Sequence, residues 1–205
     1  NVDPLAVLHD SIHKYSGQAR EKNIQFNVVQ SVGASPMILR MREIDLKTIL
    51  DALFENAIKF SPNGTSVTVE IGRSTGAPRA ELDGLLLPDW KEQTDQLIRQ
   101  YSGLEPAGEL VDHPGPQARR REGRFLVIRV SDNGIGIPEH DLSSVAEPFR
   151  QASNSPDLGV KGKGLGLALV HKVVSRHGGY LCCKSVEGEG AIFSVYLPVD
   201  HDAMG

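Results

Sequence analysis

Asp132-Asn133-Gly134-Ile135-Gly136-Ile137-Pro138 follows an apolar strand read over Phe125 to Val130. The stretch puts one carboxylate and two residues without side chains at the mouth of an expected cleft. A carboxylate accepts a hydrogen bond from the exocyclic amine of adenine. Guanine presents an acceptor at that position, so the same group discriminates between the two bases. The glycines permit positive φ and let backbone come close to a ligand. Taken alone, the stretch is equally readable as a polar loop.

Upstream of it, Leu46, Ile49, Leu50, Leu53, Phe54 and Ala57 recur at helical spacing, and Ser61-Pro62-Asn63-Gly64 follows. This predicts an amphipathic helix that stops at the serine. Asn56 sits at the edge of the apolar stripe, with Lys59 and Phe60 three and four residues on and therefore on the same face. An amide oxygen suits Mg²⁺, an ammonium suits phosphate, and an aromatic ring can cover a base or a ribose. The plainer reading has Asn56 capping buried backbone and Lys59 in solvent. Downstream, Gly162-Lys163-Gly164-Leu165-Gly166 precedes a helix read over Leu165 to His177, closed by Gly178-Gly179. Its backbone N–H groups and positive helix end suit phosphate. It is not a Walker A loop, because no Gly-Lys-Ser/Thr follows a four-residue gap from the first glycine.

The remaining pattern gives a helix over residues 5 to 22, with Leu5, Leu8, Ile12 and Tyr15 on one stripe. Strands are expected at Ile24 to Val29, where apolar residues alternate, and at Met37 to Met41, Thr65 to Ile71, Tyr180 to Ser185 and Ala191 to Leu197. Glu139 to Lys161 is loop-rich. The late strands are joined by turns too short for parallel crossovers, so an α+β sandwich with a mixed sheet is expected rather than a doubly wound fold. Between the strands ending near Ile71 and starting at Phe125 the connection runs about fifty residues, far beyond a hairpin loop. Within it, Asp89-Trp90-Lys91-Glu92 reads as a capping box opening a helix that carries Trp90, Leu97, Ile98 and Tyr101 on one face and stops at Gly103. Such an insertion either packs Trp90 on the domain or docks a partner.

Composition narrows the class. The chain has 205 residues, 40% hydrophobic and 23% charged, with net charge −4. That suffices for one domain with a sizeable core and argues against nucleic acid as the main partner. Arg119-Arg120-Arg121 is a lone basic run and reads as a solvated loop. No run of 18 apolar residues and no signal peptide is present. Asn1 is no natural start, so a piece of a longer protein is expected. Cys182 and Cys183 are adjacent and point to opposite sides of a strand, which argues against a mutual disulfide and fits a reducing compartment. His9 and His13 share helical spacing but lack a third ligand for zinc.

In chain order, Leu53-Phe54-Glu55-Asn56-Ala57-Ile58-Lys59-Phe60-Ser61, the Asp132 turn, Glu147-Pro148-Phe149, Gly162-Lys163-Gly164-Leu165-Gly166-Leu167 and Gly188-Glu189-Gly190-Ala191-Ile192-Phe193-Ser194 resemble the N, G1, F, G2 and G3 boxes of the GHKL ATP-binding superfamily. They are most similar to the catalytic and ATP-binding (HATPase_c) domain of sensor histidine kinases. The resemblance covers nearly the whole chain outside about residues 73 to 123. It implies one domain over residues 1–205, a Bergerat-type two-layer α/β sandwich with a mixed, mainly antiparallel sheet, an insertion at about 73–123 and an ATP lid at about 139–161.

The resemblance also implies roles. Asn56 would hold Mg²⁺ against the ATP triphosphate, Lys59 would contact phosphate and Phe60 would line the base pocket. Asp132 would bond the adenine amine, Gly134 and Gly136 would shape the turn, and Ile137 would pack near the base. Phe149 would anchor the lid, or simply pack in the core. Gly164, Leu165, Gly166 and Leu167 belong to the phosphate loop, where Lys163 replaces a small or hydroxyl residue and either reaches phosphate or points to water. Ser194 would bond the Asp132 carboxylate or an intervening water. Gyrase-like and mismatch-repair relatives carry a water-activating glutamate one turn before the motif asparagine, and kinase relatives often carry asparagine there; here that position is Ala52, which departs from both and cannot act as a base. No His-Glu-Leu-Arg-like segment occurs, so the phosphoacceptor histidine is expected elsewhere.

The implied function is ATP-dependent phosphorylation of a histidine on a dimerisation domain of the same protein, in a two-component system with a response-regulator receiver domain as further partner. The resemblance implies a homodimeric full-length protein, a cytoplasmic location and any membrane anchor outside this chain. The alternatives are a GHKL serine kinase, or a nucleotide-binding regulatory module without transfer.

Overall fold

The computed structural model describes residues 1–31, 39–87, 124–155 and 162–199. Helix α1 spans Pro4–Glu21. Asp3 caps it, its carboxylate accepting from the Leu5 N–H at 2.9 Å, and Pro4 takes the first helical position, where its missing N–H costs nothing. Helix α2 spans Glu43–Phe60 and buries the stripe expected of it, Leu46 to Ala57. Phe54 on that stripe meets Tyr15 edge-on at 6.3 Å and Phe26 at 5.2 Å. Rings that meet at such angles add to the area each one buries.

Strands β1 (Gln25–Ser31), β2 (Ser66–Thr75), β3 (Leu85–Leu86), β4 (Arg124–Ser131), β5 (Tyr180–Val186) and β6 (Gly190–Pro198) form one six-stranded sheet in the order β1-β2-β4-β6-β5-β3. The β1–β2 pair is parallel and every other pair is antiparallel. Short helices α3 (Ala80–Asp83) and α4 (Glu139–Leu142) and the longer α5 (Gly166–Arg176) complete the described elements. The mixed, mainly antiparallel α+β sheet is therefore as expected.

Alternation along the strands divides the sheet into two faces. Val67, Val69 and Ile71 of β2, Leu126, Ile128 and Val130 of β4, and Phe193, Val195 and Leu197 of β6 join α1, α2 and α5 in the main core. Phe125, Val127, Tyr180 and Tyr196 form a smaller cluster on the other face, against Ala77.

The chain after β2 produces that second cluster. β2 stays paired as far as Thr75 opposite Arg124. Residues 76–87 then pass over the far face and end as β3 on β5, at the edge opposite β1. Asp83 fixes the crossing. Its carboxylate accepts from Tyr196 Oη at 2.7 Å, from the Arg79 N–H at 3.0 Å and from Arg129 at 3.0 and 3.2 Å.

Two expectations need correction. β1 does not alternate: Val28 and Val29 are both exposed, and only Phe26 is half-buried in the strand. Among the described residues it is an outer strand with a neighbour on one side alone, so pairing rather than a buried face holds it. In the expected Met37 to Met41 strand, Leu39 makes a single antiparallel bridge with Val2. Met37 lies outside the described residues. So do the capping box at Asp89, the face with Trp90, Leu97, Ile98 and Tyr101, the stop at Gly103, and the Arg119 to Arg121 run.

Candidate functional site

A cavity of about 380 Å³ opens between α2, the turn after β4, the segment Val145 to Ser155 and the loop leading into α5. Of the residues expected at a site, it is lined by Asn56, Lys59, Phe60, Asp132, Gly136, Ile137, Lys163, Gly164, Leu165, Gly166 and Leu167. Residues distant in sequence thus converge because α2, β4 and α5 present their ends to one spot.

Asp132 lines the cavity together with the apolar Ile135, Ile137, Val145, Leu169 and Phe193. Its Oδ1 accepts from the Gly134 N–H at 2.8 Å and from the Ala191 N–H at 3.3 Å. Burial pushes the carboxyl up to about 6, while the two backbone bonds pull the other way. Low-dielectric surroundings disfavour the charge, and two neutral donors restore only part of that loss. Gly136 completes the turn at φ +64°, and any Cβ there would collide with the Val186 carbonyl. Ser185 Oγ receives the Ile137 N–H at 2.9 Å and donates to the Gly190 carbonyl at 2.6 Å, tying the turn to the β5–β6 hairpin.

The wall also carries polar groups. Lys59 Nζ lies 5.0 Å from the Phe60 ring centroid, and a Cβ on Gly162 would run into it. Arg150, Lys163 and Glu55 also line the wall. Asn56 faces the start of α5: a Cβ on Gly166 would stand 3.7 Å from Asn56 Nδ2 and 3.9 Å from Ala52. The loop before α5 is pinned at its base. Phe149 donates its N–H to the Gly164 carbonyl at 2.9 Å, and Gln151 Nε2 donates to the Gly162 carbonyl at 2.5 Å. Gly164 adopts φ +67°, with the Arg150 carbonyl 2.5 Å from where a Cβ would be, so only glycine fits.

Three expected residues are not on the cavity wall. Gly134 sits behind it, where a Cβ would meet Asp132 Oδ1 at 2.7 Å and the Phe60 carbonyl at 2.8 Å. Phe149 is 48% exposed at φ 62°, so the core-packing alternative fails; its backbone N–H closes the loop on Gly164. Ser194 is fully buried, opposite Arg129 and Cys182 on its neighbouring strands. Phe193 faces the cavity, so period-two alternation turns Ser194 to the far face of the sheet, and its Oγ has no hydrogen-bond partner. The bond expected from Ser194 to Asp132 is made by the Ala191 N–H instead.

Sequence reading missed Ala191, Phe193, Arg150, Gln151 and Ser155 as wall residues. The first two were legible from alternation: Ala191 and Phe193 share a strand face, and Ser194 does not. The others stand on irregular backbone, where no periodicity marks a direction.

The Asn56 amide on the wall is of a chemistry that would fit a divalent ion, and among the described residues no group of three or more His, Cys, Asp or Glu side chains forms a metal cage. One protein oxygen completed by water and phosphate is the habit of Mg²⁺.

Residues 110–201 match the family model described as histidine kinase-, DNA gyrase B- and HSP90-like ATPase. The chain is 31% identical over 91% of its length to the autoinducer 2 sensor kinase/phosphatase LuxQ of Vibrio cholerae, and 32% identical over 78% to the alginate biosynthesis sensor protein KinB of Pseudomonas aeruginosa. It spans 16% and 26% of those two relatives. Among solved structures, the mycobacterial sensor histidine kinase MprB is 21% identical with a TM-score of 0.59, covering 97% of both chains. Full-length ShkA in complex with AMPPNP is 21% identical with a TM-score of 0.60, covering 97% of this chain and 30% of that one. At such identities the two structures speak for the fold. By that match and these sensor-kinase relatives, this chain belongs to the histidine kinase-, DNA gyrase B- and HSP90-like ATPase family.

Proposed function

We propose that this chain is the ATP-binding catalytic domain of a sensor histidine kinase, and that it presents the γ-phosphate of ATP to a histidine on a dimerisation domain outside these residues. The observation that carries this reading is that one cavity is lined both by the Asp132 turn with its apolar neighbours and by Lys59, Lys163, Arg150 and the start of α5. Oδ1 of Asp132 takes both backbone bonds, so Oδ2 is left to accept the adenine amine, which guanine lacks. Ile137 packs near the base and Phe60 covers it. Lys59 and the N–H groups before α5 bind phosphate. Asn56 would hold Mg²⁺, which supplies charge neutralisation at the triphosphate when bound. The sensor-kinase relatives and the AMPPNP complex of ShkA support the same reading.

Ala52 favours transfer over hydrolysis. It lines the cavity one helical turn before Asn56 and offers no base to activate water. A kinase has to keep its γ-phosphate from water until the acceptor arrives. The same proposal includes a response-regulator receiver domain as downstream partner, a homodimeric whole protein and a cytoplasmic position for this domain. No helix among the described residues is long and apolar enough to cross a membrane.

The decisive experiment mixes the chain with radiolabelled ATP and a purified histidine-bearing hairpin, and in parallel with a serine peptide. Label on the hairpin, acid-labile as expected of phosphohistidine, supports the proposal. Label on serine would make it a serine kinase, and ATP binding without any transfer would leave a regulatory nucleotide module.

A further inference from the structure

We propose that Lys22 is a positioning residue of the nucleotide site, whose ammonium clamps the last turn of α2 and so sets where Lys59 and Phe60 stand. The proposal rests on reading the cavity as the ATP site.

Lys22 lies outside the cavity and outside every motif discussed above, yet its side chain is fully engaged. Nζ donates to the carbonyls of Ile58 at 2.7 Å, Lys59 at 3.2 Å and Ser61 at 2.6 Å. An ammonium has three donors, and three acceptors use them all. Helix ends leave their last carbonyls without intrahelical partners and carry partial negative charge, so a cation there is doubly favourable. In α2 the Ser61 N–H satisfies Ala57, and Lys22 takes up the carbonyls beyond.

Lys22 is itself held in place. The Lys22 and Ile24 N–H groups both donate to the Ala19 carbonyl, at 3.2 and 2.8 Å, and Asn23 turns the chain at φ 52°. The Lys22 carbonyl accepts from the Gly64 N–H at 2.8 Å. Backbone and side chain of one residue therefore bracket residues 58–64. Burial lowers the pKa of Lys22.

The bracketed turn leads directly into the site. Lys59 and Phe60 line the cavity, and the Phe60 carbonyl abuts Gly134 in the aspartate turn. A shift of the α2 terminus would move the phosphate-binding ammonium, the ring over the base and the neighbour of Asp132 together. Arginine is a poor replacement, since its planar fork does not converge three donors from one point.

The test is a double-mutant cycle on the whole 205-residue chain. Mg·ATP affinity is measured calorimetrically for the parent, Lys22→Met, Lys59→Met and the double variant. If Lys22 acts through Lys59, Lys22→Met weakens binding about tenfold in the parent but less than about twofold once Lys59 is gone, because coupled residues are not additive. Faster hydrogen exchange at the Ser61 amide should accompany the loss. Lys22→Gln, which keeps two donors, replaces Lys22→Met in the cycle should the latter not fold. Unchanged affinity in the Lys22 variant, or equal losses in both backgrounds, overturns the proposal. A parent chain that binds no ATP sinks the nucleotide reading itself, a separate outcome read before any variant is made.

Discussion

The Ala191 N–H donates to Asp132 Oδ1 at 3.3 Å, so backbone of β6, not a side-chain hydroxyl, ties the site carboxylate to the sheet. Together with the Gly134 N–H it holds Oδ1 and turns the carboxylate into a directional acceptor. Neutral donors do not offset burial, which leaves the group titrating near 6 in the free protein.

Asp132→Asn should abolish the preference for ATP over GTP, because it exchanges an acceptor-only group for one that also donates. In the parent, ATP affinity should fall as pH drops through about 6, where the buried carboxyl takes up its proton. Folding stability follows the opposite sign. The group is neutral in both states below the unfolded pKa near 3.8, and its raised folded value costs stability as pH rises through about 6. At pH 7.5 the Asn variant without nucleotide should therefore be more stable than the parent, by at most about 3 kcal/mol. Paired thermal melts and ATP and GTP titrations across pH 5 to 8 check both effects. A pH-independent ATP affinity in the parent would contradict the assignment of Asp132.

Asn56→Ala should leave the fold intact and remove magnesium stimulation of ATP binding. Asn56 lies at the rim of the apolar stripe and is only half-buried, so its truncation should cost less than about 1 kcal/mol. Titrations with Mg²⁺ and with a chelator, run on parent and variant, decide the matter. The metal role is lost if magnesium strengthens binding equally in both.

Ala52→Glu should raise the slow intrinsic ATPase rate. The methyl group faces Gly166 across the cavity mouth, one turn from Asn56. A carboxylate there can reach a water beside the γ-phosphate. The gain should stay well below the roughly hundredfold of an evolved general base, since the water is not otherwise placed. Single-turnover phosphate release compares the two proteins, and fast release from the parent would point to an ATPase.

Asp83→Ala should destabilise the chain by about 3 kcal/mol, because it strands Arg129 and the Tyr196 hydroxyl on the far face. Burial alone would raise the Asp83 pKa, but the bonds from Tyr196, Arg79 and Arg129 outweigh it and hold the carboxyl below its usual value. Its contribution is thus present above pH 4 and lost as pH falls through the depressed folded value. Denaturant melts at pH 7 and pH 3 should show a smaller difference between parent and variant at the lower pH. An equal difference at both would mean that packing, not the ion pair, carries the effect.

Sequence alone determined the framework. The apolar stripe of α2, the run of Phe125 to Val130 and the spacing of the glycine motifs placed Asn56, Lys59, Asp132 and Gly164 in their elements, because local periodicity and turn chemistry report backbone state residue by residue. The mixed sheet was legible from connection lengths. Tertiary structure decided what depends on partners far along the chain. Alternation within β6 separates Ala191 and Phe193 from Ser194, but which of the two faces meets the cavity is set by the pairing of β6 with β4 and β5 and the packing of the sheet. The exposure of β1 follows from its place at the sheet edge, which no pattern within Gln25–Ser31 specifies. The crossing of residues 76–87 rests on Asp83 meeting Arg129 and Tyr196, contacts 46 and 113 residues apart. Lys22 meets the end of α2 across 36 to 39 residues, and only the folded chain brings an ammonium to three carbonyls at that range.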